Sequence, residues 1–124
     1  MISGTITESD ETDEDWKSQT YVVEVREGFQ YFFDLTALDG DVVGVWSPDL
    51  GDYIIEVSPS VTTRSVPYVF SEGGKQELFI QSPAPHVPSP FTFKIWSPRW
   101  ALTLSKAATP GRYGPRLNLK AGQV

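Results

Sequence analysis

The stretch Tyr21-Val22-Val23-Glu24-Val25-Arg26-Glu27-Gly28-Phe29-Gln30-Tyr31-Phe32-Phe33-Asp34-Leu35 decides the fold class. Tyr21, Val23 and Val25 alternate with Val22, Glu24 and Arg26. That period of two marks a strand with one buried face. Phe29, Tyr31, Phe33 and Leu35 alternate in the same way with Gln30, Phe32, Asp34 and Thr36. Glu27-Gly28 separates the two runs and supplies a turn, because glycine tolerates positive φ. Two successive strands are therefore expected. Phe29, Tyr31 and Phe33 share a core-facing side, and Phe32 points to the opposite face.

Similar runs extend in both directions, at 2–7, 42–46, 52–57, 65–70, 76–81, 91–96 and 100–105. Asp39-Gly40-Asp41, Ser47-Pro48-Asp49, Ser58-Pro59-Ser60, Glu72-Gly73-Gly74 and Ser97-Pro98 punctuate them as turns. Gly73-Gly74-Lys75 reads as a short hairpin turn and not as a phosphate-binding loop. Strands recurring at roughly ten-residue intervals predict an all-β sandwich or barrel of antiparallel strands. No window has a helical period, and residues 8–18 have room for one helical turn at most, with Ser9 or Thr12 as its cap. Residues 82–90 hold four prolines and are expected to form an extended loop. Trp-Ser-Pro occurs at 46–48 and 96–98, each time as a strand end followed by a proline turn.

The chain has 124 residues, of which 40% are hydrophobic and 16 are aromatic, so one domain with a sizeable core is expected. It has no cysteine, which removes disulfides, thiol nucleophiles and cysteine-based zinc sites. No apolar run approaches the ~18 residues of a membrane span. Met1-Ile2-Ser3-Gly4-Thr5-Ile6 lacks the basic-then-apolar order of a secretory signal, so with this as the native start, synthesis without an export tag, or exit from the cell by some other route, is expected.

Charge is unevenly spread. Residues 1–98 carry all 16 acidic groups and five of the ten basic ones, a formal −11. Residues 99–124 carry Arg99, Lys106, Arg112, Arg116 and Lys120 with no acid, a formal +5. An acidic body repels phosphates, which argues against nucleic acid as a partner. The basic segment reads either as a solvated terminus or as an arm that docks on an acidic neighbour. The expected organisation is a β-domain over residues 1–105 and an irregular basic arm over 106–124. Arg99 and Trp100 lead into that arm, and Trp96, Trp100 and Tyr113 would give an interface there its aromatic contacts.

The order of motifs resembles the bacterial pre-peptidase C-terminal domain family. Gly4-Thr5-Ile6, Asp13-Glu14-Asp15-Trp16, Tyr21–Val25, Glu27-Gly28 and Tyr31-Phe32-Phe33-Asp34-Leu35 follow its pattern. Asp41–Asp49, Gly74–Ile80 and Phe91–Ile95 look like its later strands, so the similarity covers roughly residues 2–97. The resemblance implies a jelly-roll-like β-sandwich of about eight strands. It also implies a non-catalytic accessory role, which in some members includes binding collagen, carbohydrate or calcium. The basic arm departs from the family pattern. The resemblance further implies that Asp13 or Asp15 accepts backbone N–H bonds in a turn.

Four constellations bear on chemistry. The acidic run 8–15 offers oxygen ligands for calcium, with Asp10, Asp13 and Asp15 as the candidate set, or is a solvated loop. Asp39, Asp41, Asp49 and Asp52 add loop carboxylates that could lie nearby. His86 is the only histidine and lies between Ser82 and Ser89, but no strained nucleophile elbow accompanies it. Phe32, Trp46 and Trp96 fall on outward positions, where rings can stack on sugars or anchor a protein interface. No pair of carboxylates stands out for glycoside hydrolysis.

The expected function is therefore non-enzymatic. The first reading is a structural protein of a virion, such as a bacteriophage head-decoration or accessory protein. Its arm would dock on an acidic shell protein or on copies of itself, with no nucleic acid or membrane involved. The alternative is an extracellular pre-peptidase-type module that binds carbohydrate or collagen, with calcium as a candidate cofactor.

Overall fold

The computed structural model describes residues 2–7, 10–13, 15–83, 85, 87–99 and 101–106, with backbone alone for Glu11 and Asp13. Among the described residues ten strands form: β1 (Ile2–Ile6), β2 (Glu11–Asp13), β3 (Trp16–Val25), β4 (Gln30–Ala37), β5 (Val43–Ser47), β6 (Asp52–Val57), β7 (Thr63–Val69), β8 (Gly74–Pro83), β9 (Ser89–Trp96) and β10 (Leu104–Lys106). They build two antiparallel sheets. One is four-stranded in the order β1-β9-β4-β7; the other is six-stranded in the order β10-β3-β8-β5-β6, with β2 also paired to β3.

The two sheets pack as a sandwich because both alternating runs bury one face. Tyr31, Phe33 and Leu35 of β4 meet Phe91 and Phe93 of β9 on one inner face. Val23, Val45, Leu78 and Ile80 line the other, all within 1% of full burial. Phe33 contacts Phe93, Tyr68 and Phe70 at centroid distances of 5.8, 6.1 and 6.1 Å. These tilted and edge-on arrangements suit the aromatic quadrupole.

Phe29 departs from its expected place in the core: it is 39% exposed. It lies between the Gly28 turn (φ 83°) and the start of β4, past the end of the inner face. Phe70 fills that end instead, 5.8 Å from Tyr31 and fully packed. Its carbonyl accepts the Gly28 N–H at 3.4 Å, which closes the core there.

Apart from β2–β3 and β5–β6, successive strands lie in opposite sheets. The Gly73-Gly74 segment is accordingly not a hairpin. It carries the chain from β7 in one sheet to β8 in the other, with Gly74 at φ 96°. Alternation reports which residues face inward but not which strand is the neighbour, so a crossover and a hairpin look alike in sequence.

Alternation in the sequence points to every strand but β2, and the count of about eight implied by the family resemblance is exceeded by β2 and β10, two short strands on one edge. β2 pairs with Trp16–Ser18 and β10 with Tyr21–Val23, both along β3. Part of the acidic run is thus strand, not loop. Among the described residues the strand expected at 100–105 covers 104–106 and takes in Lys106. The proline segment is shorter than expected too, because β8 runs through Pro83 and β9 begins at Ser89.

Candidate binding faces

The outer face of the six-stranded sheet is built by register. Thr20, Phe79, Trp46 and Tyr53 form one cross-strand row, and Ser18, Gln81, Gly44 and Glu56 form the next. Gly44 has a definite role in its row. A Cβ there would come within 2.8 Å of the Tyr53 ring and 3.2 Å of the Glu56 Cγ. Its absence lets the Tyr53 ring lie across β5, where its hydroxyl donates to Gln81 Oε1 at 2.7 Å. From there Tyr53 meets Trp16 at 5.6 Å, and Trp46 meets Phe79 at 6.1 Å. Ser18, Thr20, Phe79 and Gln81 are buried although they point away from the core. Trp16, Trp46 and Tyr53 stay half-buried above them. Ser18 Oγ has no hydrogen-bond partner among the described residues.

The outer face of the four-stranded sheet carries a second aromatic pair. Phe32 and Trp96 are cross-strand partners and stack at 4.7 Å with 26° between their planes. Asp34 holds this pair in place. It accepts the Trp96 indole N–H at 2.9 Å and, through its other oxygen, the Ser65 hydroxyl. Lys94 places its ammonium 5.4 Å from the Trp96 ring centre, within cation–π range. The sequence expectation that Phe32 and Trp96 face outward therefore holds.

The two Trp-Ser-Pro stretches end strands as expected. Ser47 Oγ accepts the Asp49 N–H and Ser97 Oγ accepts the Arg99 N–H, each at 3.1 Å.

Among the arm residues, Arg99 is exposed, and its guanidinium carbon sits 5.7 Å above the Phe29 ring. Lys106 closes β10 opposite Tyr21. Trp100, Arg112, Tyr113, Arg116 and Lys120 lie outside the described residues, as does His86. Ser82 and Ser89, its neighbours in sequence, are buried and hydrogen-bonded to each other at 2.9 Å. Ser82 Oγ also bonds the Val42 carbonyl at 2.6 Å.

Asp10 accepts the Thr7 N–H at 2.8 Å and the Gln19 side-chain amide at 2.9 Å. Gln19 in turn accepts the buried Tyr21 hydroxyl at 2.8 Å. Burial, with Asp10 as a secondary cause, pushes the Tyr21 phenol above its ordinary pKa. Asp10 thus makes the turn contact expected of Asp13 or Asp15. Asp15 is exposed, and the Asp13 side chain lies outside the described residues. Among the described residues no three histidine, aspartate or glutamate side chains gather as ion ligands.

Sequence reasoning missed the function of Asp49. Its carboxylate accepts the Tyr68 hydroxyl at 2.6 Å, the Ser71 hydroxyl at 2.6 Å and the Ser71 N–H at 3.0 Å. Partial burial pushes this carboxyl up, but those bonds and the Glu72 N–H outweigh it and hold the pKa below its ordinary value. The only signal in the sequence was an aspartate in a proline turn. Nothing local shows that a crossover from the other sheet passes beside it.

No protein-family model matches the chain, and no curated protein matches it in sequence. The resemblance to the pre-peptidase domain therefore rests on the residues that carry it.

Proposed function

We propose that this chain is a non-enzymatic building block of a larger protein assembly, in the manner of a virion accessory or head-decoration protein. It docks on an acidic protein surface through the basic segment that begins at Arg99. One observation carries this reading. β10 pairs Leu104–Lys106 with β3, so the basic segment is anchored to the edge of the sandwich ahead of residues 107–124. A segment held at its root loses less entropy when its remainder binds than one hanging freely.

The strand order also supports a jelly roll. The eight longest strands run β1-β9-β4-β7 in one sheet and β3-β8-β5-β6 in the other, the pattern of two interlocked Greek keys. β2 and β10 are additions to its edge.

The test is density-gradient fractionation of the native source with this protein tracked by mass spectrometry. Co-sedimentation with large particles at a fixed ratio to a shell protein, lost when residues 107–124 are removed, is expected. Recovery only as a free species overturns the reading.

The Phe32–Trp96 pair favours a second reading, carbohydrate binding. Its rings supply stacking area, and Asp34 and Lys94 supply polar contacts beside it. Binding on a glycan array that is lost in Trp96→Ala supports this alternative, and an array without signal removes it.

A further inference from the structure

We infer that the acidic surface receiving the basic segment is the outer face of the six-stranded sheet on a second copy of this chain. The inference rests on reading that segment as a docking arm, and it names the partner.

The first argument is placement. β10 runs antiparallel to β3 and reaches Tyr21, while β2 holds the same edge from Ser18 to Trp16. β10 therefore has little edge left along which to extend. The chain beyond Lys106 starts from the edge strand of the six-stranded sheet.

Length is the second argument. Residues 107–124 span up to about 60 Å when extended at ~3.3 Å per residue. Crossing from β3 to β6 takes three strand spacings, about 15 Å. The segment is long enough to leave one copy and cross the face of another.

Chemistry is the third. Residues 107–124 carry Arg112, Arg116 and Lys120 with no acid, together with Tyr113, Leu117 and Leu119. Among the described residues the face carries Glu24, Glu56 and Glu77 against one cation, Lys75, the cross-strand partner of Glu24; half-buried Trp46 and Tyr53 lie in the row between Glu56 and Glu77, and half-buried Trp16 lies beyond the Glu56 row. Charges of opposite sign set partner choice, and aromatic anchors set affinity. Reciprocal exchange of segments closes a dimer, and one-way donation gives a ring or a chain.

The test is sedimentation velocity of the full chain from micromolar to millimolar concentration. Mass is expected to rise with concentration, and less so as salt is added. Arg112→Glu with Arg116→Glu is expected to weaken association about tenfold or more, as is Glu56→Arg with Glu77→Arg on the face. Combining both pairs of reversals in one chain is expected to restore it. Circular dichroism and urea midpoints check that each variant is folded. A full chain that stays monomeric throughout, or association indifferent to both reversals, overturns the inference. A monomer that still co-sediments with particles through residues 107–124 defeats only the choice of partner. Co-sedimentation that survives removal of those residues defeats the docking reading beneath it.

Discussion

The Asp49 carboxylate accepts the Tyr68 hydroxyl at 2.6 Å, and this bond joins the two sheets at one end of the sandwich. Asp49 belongs to the β5–β6 turn of the six-stranded sheet, and Tyr68 to β7 of the four-stranded one. The Tyr68 ring packs edge-on against Phe70 at 4.9 Å, so the hydroxyl is aimed by the core itself. The second Asp49 oxygen takes the Ser71 hydroxyl and thereby holds the start of the β7–β8 crossover.

Asp49→Ala is expected to destabilise the fold by about 1–2 kcal/mol, a range reduced for its partial exposure to water. Tyr68→Phe removes one of the bonds and should cost about 1 kcal/mol. Urea denaturation measures both, and a double-mutant cycle should show the two losses to be less than additive. Full additivity would mean that the pair does not act as a unit.

The same carboxylate makes stability depend on acid. Its pKa is held below the ordinary value in the folded state. Its contribution is therefore complete above the unfolded value of about 3.9 and is lost as pH falls through the lower folded value. The stability difference between the native chain and Asp49→Asn should be constant near neutrality and shrink below about pH 4. Burial, reinforced by Asp49, pushes the Tyr68 phenol well up. That contribution is full below about pH 10 and declines above it.

Gly44→Ala tests the aromatic face. The added methyl group would lie 2.8 Å from a ring pinned by its hydroxyl to Gln81. The ring has to move, at an expected cost of about 1–3 kcal/mol. Tryptophan emission should change as well, because Tyr53 packs on Trp16. The substitution should cost much less in a Tyr53→Ala background, where the obstruction is gone.

Phe33→Ala and Phe29→Ala separate a core aromatic from an exposed one on the same alternating run. Phe33 is fully buried among Phe70, Phe93 and Tyr68, and its truncation should cost about 3–5 kcal/mol. Phe29 is at the surface beneath Arg99, and its loss should stay within about 1 kcal/mol. Chemical denaturation of the two variants reads the difference directly.

Strand identity and facing are local properties, and they were legible without coordinates. A period of two put Tyr31, Phe33 and Leu35 inside and Phe32 and Trp96 outside, because successive side chains on a strand must point to opposite faces. Turn residues marked the strand ends, as the serines of both Trp-Ser-Pro stretches show. The charge split between residues 1–98 and 99–124 is also a property of the chain alone. Tertiary structure decided which strands are neighbours and what each loop passes. It made Gly73-Gly74 a crossover, exchanged Phe29 for Phe70 at the end of the core and brought Asp49 to Tyr68. It also laid Tyr53 across Gly44. Those outcomes depend on contacts between residues far apart in the chain. Alternation fixes the direction of a side chain but carries no information about the strand it will meet.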